Sequence, residues 1–157
     1  MGKVLLIGFL GGILILISNT IVVKTVKLCL YGKTVSEHNT SQVKTAKVTI
    51  DLAKKRLIPL YLALVILEEY LFRYLLFGYL SSIWSSLILS VLISTTVFTL
   101  LHFHYKYKMI QVFIMGLILC GTYIMTDNLI CPIISHFINN FTIIYLLKDK
   151  KHKILTF

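Results

Sequence analysis

Long apolar runs alternate with short polar breaks along this chain. The runs cover residues 4–23, 57–80, 86–103, 109–126 and 129–147. Each falls within the roughly 17–25 residues that a membrane-spanning helix requires. The breaks are a polar stretch over 24–56, the turn "SSIWSS", the segment "HFHYKYK", the dipeptide "DN" and a tail, "KDKKHKILTF". This pattern predicts an all-α protein, a polytopic membrane helical bundle of about five transmembrane helices. Gly8, Gly11 and Gly12 in the first run predict close helix packing. The stretch "QVKTAKVTIDLAKKR" reads as a short basic helix on the membrane surface. The organisation expected is an amino-terminal anchor helix plus basic linker over 1–56, a core over 57–147 and a basic tail over 148–157.

Composition agrees. Hydrophobic residues make up 57% of the 157 residues and charged residues 14%, with a mean hydropathy of +0.87. A soluble domain of this size needs more charge to cover its surface. The formal charge of +10 would suggest nucleic acid in a soluble protein, but in a membrane protein it marks cytoplasmic loops, so no nucleic-acid partner is expected. The charges fall accordingly. Lys and Arg cluster between runs one and two, at Lys106 and Lys108, and from Lys148 onward, whereas "SSIWSS" and "TDN" carry none. Five alternating crossings then put the amino terminus outside and the carboxyl terminus in the cytoplasm. The abundance of Lys and Ile points to a bacterial cell membrane. Cys29, Cys120 and Cys131 form no CxxC pair and read as small core residues. The first run lacks a small-x-small cleavage site, and "MGKVLL" lacks the hydroxyl residue of a myristoylation signal, so the run reads as an anchor.

Against this apolar background the stretch "VILEEYLFRYLLF" stands out. Glu68 lies 11 residues past Leu57, about 16 Å deep at 1.5 Å per residue. A charge at that depth costs about 2.5–3.5 kcal/mol on insertion scales. Glu69 and Arg73 are four apart and pair on one helical face. Glu68 points about 100° away and needs partners from other helices. Three polar residues in other spans are available: His102 at the end of the third, and His136 and Asn140, one turn apart, in the fifth. A carboxylate, two imidazoles and an amide suffice to activate water and hold an oxyanion. Glu68, His102 and His136 are equally the donor set of a catalytic zinc, so zinc is a possible cofactor and none is certain. The bland alternative is that these groups only bond helices together.

These residues form three ordered motifs. Glu68-Glu69-x-x-x-Arg73, Phe98-x-x-x-His102 and His136-x-x-x-Asn140 resemble the EExxxR, FxxxH and HxxxN signatures of the CPBP family, the CAAX proteases and bacteriocin-processing enzymes, also called Abi. The stretch "GLILCGTYIMTDNLICPIISHFINN" adds a further match, and the resemblance covers about 57–147. It implies an all-helical intramembrane endopeptidase. In that scheme Glu68 activates the water with His102, and His136 and Asn140 stabilise the oxyanion. Glu69, Arg73 and Phe98 support the geometry. The family is labelled metalloprotease, though a metal-free glutamate mechanism is also argued for it, and no HExxH motif is present. A single span before the core, fewer than many relatives have, raises the prospect of self-association. The expected partners are the lipid bilayer and a membrane-associated peptide or protein substrate. Two other readings use the same residues: a bacteriocin self-immunity protein acting by binding in the membrane, and a small transporter with a Glu/His proton relay.

Overall fold

The computed structural model describes residues 1–31, 58–102 and 108–154, with side chains described for 1–25, 58–102 and 108–143. Every element among them is helical: α1 (Gly2–Tyr31), α2 (Ile58–Glu69), a π-helical stretch (Tyr70–Phe77), α3 (Gly78–Ile83), α4 (Leu87–Leu101), α5 (Lys108–Thr126) and α6 (Ile130–Ile154). The segments from α2 to α3 follow one another without a break and answer to the second predicted span. The other predicted spans match α1, α4, α5 and α6. Two helices run further than their apolar runs. α1 continues past residue 23 through "KTVKLCLY", and α6 past residue 147 through "KDKKHKI". Neither extension contains Gly or Pro, and Lys and Leu are good helix formers. The predicted basic surface helix and the segment after His102 lie outside the described residues, as does the side chain of Cys29.

Polarity in this bundle is inverted relative to a soluble protein. Leu6, Phe9, Leu60, Leu67, Ile88 and Leu101 are more than half exposed, while Glu69, Arg73, Ser90, Ser94 and Ser135 have no exposed surface. Water would reverse that arrangement, and lipid requires it, because only apolar side chains can face hydrocarbon cheaply. The Gly2–Thr25 part of α1 and the whole of α5 are long and apolar enough to cross a membrane. This is an integral membrane protein. α4 is shorter: its 15 residues span about 22 Å, less than the ~30 Å of a hydrocarbon core.

Small residues let the helices approach. α1 lies against α6 and α5. A Cβ on Gly11 would come within 2.5 Å of Ser135 Oγ and 2.7 Å of Thr122 Cγ2, and one on Gly8 within 3.0 Å of the Cys131 carbonyl oxygen. In the space this leaves, Ser135 Oγ donates to the Gly8 carbonyl at 2.7 Å. Cys120 and Cys131 are free thiols with no exposed surface, as expected of core residues. The buried centre is Ile15, Phe72, Phe98, Met115 and Leu119, with Phe72 and Phe98 edge-to-face at 5.0 Å.

Two turns close the connections before α4 and before α6. Ser86 caps α4 by accepting from Leu89 N at 3.3 Å. After α5 the chain reverses at Asp127, whose left-handed φ of 46° is a conformation short polar residues tolerate. Asn128 Oδ1 then accepts from Ile130 N at 2.9 Å and starts α6.

Candidate active site

The site begins where regular helix gives way. Glu68 and Glu69 end α2, and the backbone widens to π-helix from Tyr70. Widening disturbs the carbonyl pairing of the helix, and π-turns of this kind recur at functional sites. Here Ser94 Oγ of α4 donates to the Phe72 carbonyl at 2.8 Å, so a polar side chain from a neighbour serves the altered backbone.

Glu69 points into the bundle. Its Oε2 is 3.1 Å from Arg73 Nε, and its Oε1 accepts a 2.6 Å hydrogen bond from His136 Nδ1. The arginine is close enough to pair by charge but is not aligned as a hydrogen bond, and its other nitrogens have no hydrogen-bond partner among the described residues. Phe98 compensates. The guanidinium carbon lies 4.5 Å from the Phe98 ring centroid, a cation–π contact that gains strength where water is excluded. The same ring lies 4.4 Å from the His102 ring and 6.1 Å from the His136 ring. Phe98 is therefore the apolar hub on which the arginine and both histidines rest.

Glu68 turns the other way, as the helical geometry requires. His102 Nε2 stands 3.7 Å from its Oε1, and His136 Nε2 3.7 Å from its Oε2. These separations are too long for direct hydrogen bonds and short enough for charge to be felt. Glu68 and His102 are partly accessible, with side chains 32% and 33% exposed, whereas His136 is at 2%. His102 caps the carboxyl end of α4, and its Nδ1 donates to the Phe98 carbonyl at 2.8 Å.

These anchors decide the protons. A backbone carbonyl only accepts, and so does the Glu69 carboxylate paired with Arg73. Both Nδ1 atoms must therefore carry hydrogen, which leaves a neutral His102 and a neutral His136 each presenting a bare Nε2 lone pair to Glu68. Two lone pairs facing one carboxylate repel. The cluster is relieved by holding at least one proton among Glu68 and the two Nε2 atoms.

The structure thus brings Glu68, Glu69, Arg73, Phe98, His102 and His136 together. Asn140 lies one turn beyond His136 on α6, half-buried, and its Oδ1 accepts from Asn139 Nδ2 at 3.3 Å. Sequence reasoning overlooked Asn139, which is 3% exposed, although "HFINN" places a second amide next to the first. It also overlooked the Glu69–His136 bond and the role of Ser94.

As for zinc, the two imidazoles and Glu68 have suitable donor chemistry. Among the described residues, however, no three His, Cys, Asp or Glu side chains are gathered closely enough to hold an ion. The chemistry proposed for the site uses these side chains alone.

Comparison with known proteins bears on the same residues. The family model for type II CAAX prenyl endopeptidases, Rce1-like, matches residues 55–142, from just before α2 to past Asn140. A membrane-embedded CAAX protease, MroQ, of Staphylococcus aureus (strain USA300) is 35% identical over 136 residues, covering 80% of this chain and 52% of the relative. The chain thus spans about half the length of that curated relative. No solved structure matches it.

Proposed function

Given that the chain belongs to the Rce1-like family of type II CAAX prenyl endopeptidases, we propose that it hydrolyses a peptide bond in a membrane-associated protein or peptide. The observation that carries this reading is one accessible carboxylate, Glu68, with an imidazole Nε2 3.7 Å from each oxygen. The Glu68 carboxylate takes a proton from a water molecule, and the water oxygen attacks the scissile carbonyl carbon. The carbonyl π electrons move to oxygen. That oxyanion accepts hydrogen bonds from protonated His136 at Nε2 and from the Asn140 amide. Collapse expels the amine, and Glu68 returns its proton to the leaving nitrogen. General-base help is worth about 10²–10⁴-fold, and one oxyanion donor about 10²–10³-fold.

Glu69 and Arg73 support this chemistry from behind. The carboxylate fixes the His136 ring and balances the charge that ring gains. His102, held by the Phe98 carbonyl, flanks the water on the accessible side. A bacterial cell membrane is the setting that fits the Staphylococcus relative and the composition, with the carboxyl terminus in the cytoplasm. Short membrane-active peptides and lipid-anchored proteins are the substrate class.

The test is cleavage by the purified full chain in phosphatidylglycerol-containing vesicles. Two internally quenched peptides serve as probes, one with a farnesylated cysteine near its carboxyl end and one unmodified and amphipathic. Cleavage of either, unchanged by a chelator, is the expected result. Binding of both peptides without hydrolysis overturns the enzymatic reading, and loss of cleavage with chelator overturns the metal-free mechanism.

A further inference from the structure

Three side-chain amides form a chain from α1 to the candidate site. Asn19 donates from Nδ2 to Asn139 Oδ1 at 2.9 Å, and Asn139 donates from Nδ2 to Asn140 Oδ1 at 3.3 Å. The two ends of an amide are told apart by their partners, and here the partner is Met115. Asn139 Nδ2 also lies 3.4 Å from Met115 Sδ, and a thioether sulfur accepts but never donates. With its NH2 directed at Met115 and Asn140, Asn139 must offer its oxygen to α1, so Asn19 is the donor. Asn140, whose oxygen is taken by Asn139, is left with its NH2 as the group it can offer. That is the end an oxyanion needs. α1 is held at this level by a second contact, Gln111 Nε2 to the Asn19 carbonyl at 3.3 Å.

We propose that Asn19 is a positioning residue for Asn140, acting through Asn139. α1 lies outside the stretch matched by the family model, so on this account a helix beyond the shared core helps to set the oxyanion site. The inference rests on the reading of Asn140 as an oxyanion donor. Without Asn19 the buried Asn139 oxygen loses its donor, and an unserved buried acceptor is costly. Asn139, still held at Met115 through its NH2, then loses the contact that fixes its amide plane from α1, and its hold on the Asn140 oxygen loosens. Asn140 is then free to rotate, and its NH2 is directed at the substrate for only part of the time.

A double-mutant cycle on the purified full chain, with the peptide probes above in vesicles, tests the relay. Asn140→Ala is expected to lower kcat by about 10²-fold, and Asn19→Leu by about tenfold, as a partial loss of one donor. KM should stay within about twofold for Asn19→Leu, since the effect is confined to the transition state. The double variant should be no slower than Asn140→Ala alone, and Asn19→Gln, which keeps the donor, should recover most of the rate. Equal losses from Asn19→Leu in both backgrounds overturn the relay. If instead Asn140→Ala leaves kcat unchanged, the oxyanion reading has failed, and a measurement independent of activity judges the relay. The side-chain amide signals of Asn140 in asparagine-labelled protein should shift in Asn19→Leu. Unmoved signals overturn the relay, and the same spectra report whether the variant is folded.

Discussion

His136 Nδ1 donates a 2.6 Å hydrogen bond to Glu69 Oε1, joining α6 to the end of α2 across 67 residues of sequence. Glu69 thereby holds two cationic or proton-donating groups at once, since Arg73 Nε lies 3.1 Å from its other oxygen. All three side chains are at most 2% exposed. Adjacent Glu68 has none of this enclosure. The two carboxylates differ because one faces the buried centre of the bundle and the other is 32% exposed.

Glu69→Gln should therefore damage folding as well as activity. The variant leaves the Arg73 guanidinium buried without a counter-charge, and breaking such a pair costs about 3–5 kcal/mol. Cleavage should fall too, because His136 loses the carboxylate that balances the positive charge its ring gains. Thermal unfolding in detergent, compared with wild type, checks the first effect. An unchanged midpoint would show that Phe98 alone sustains the buried cation.

Gly11→Leu should loosen α1. The added side chain has no room beside Ser135 and Thr122, and overpacking of this kind costs about 1–3 kcal/mol or more. Gly121→Ala is the matched control, because a Cβ there meets nothing within 4 Å. Unfolding midpoints of the two variants should separate clearly. Equal midpoints would mean that α1 moves aside freely.

The charge distribution makes a prediction about orientation. Residue 82 lies in α3, just before an uncharged turn, and residue 150 lies in the basic tail. In intact cells an impermeant thiol reagent should label Ser82→Cys and leave Lys150→Cys untouched. The opposite pattern would reverse the topology.

Much of this was legible in the sequence because lipid imposes a simple rule. Apolar runs of spanning length must be helices, so the bundle and its connections could be read directly. The different facing of Glu68 and Glu69 followed from the 100° between neighbours and from Arg73 one turn on. Gly8, Gly11 and Gly12 announced a close contact without naming α6 as the partner. What escaped was three-dimensional. Nothing local to Glu69 reveals that His136 comes to it, because that bond depends on how α2 and α6 cross. The bond from Ser94 of α4 to the Phe72 carbonyl in the π-helical stretch likewise depends on how two helices meet. Asn19 gave no signal either, being the middle of the polar trio Ser18, Asn19 and Thr20 in an apolar helix until Asn139 is placed beside it.

The most direct measurement is single-turnover cleavage by purified Glu68→Gln, with folding verified by its unfolding midpoint. Glutamine keeps the shape of Glu68 but cannot accept a proton as a carboxylate does, and it is placed at a partly exposed position, where the change is tolerated. The account expects a midpoint close to that of wild type and a cleavage rate lower by about 10²–10⁴-fold, the worth of general-base catalysis. Cleavage by Glu68→Gln at the wild-type rate would contradict it, and the water would have to be activated elsewhere.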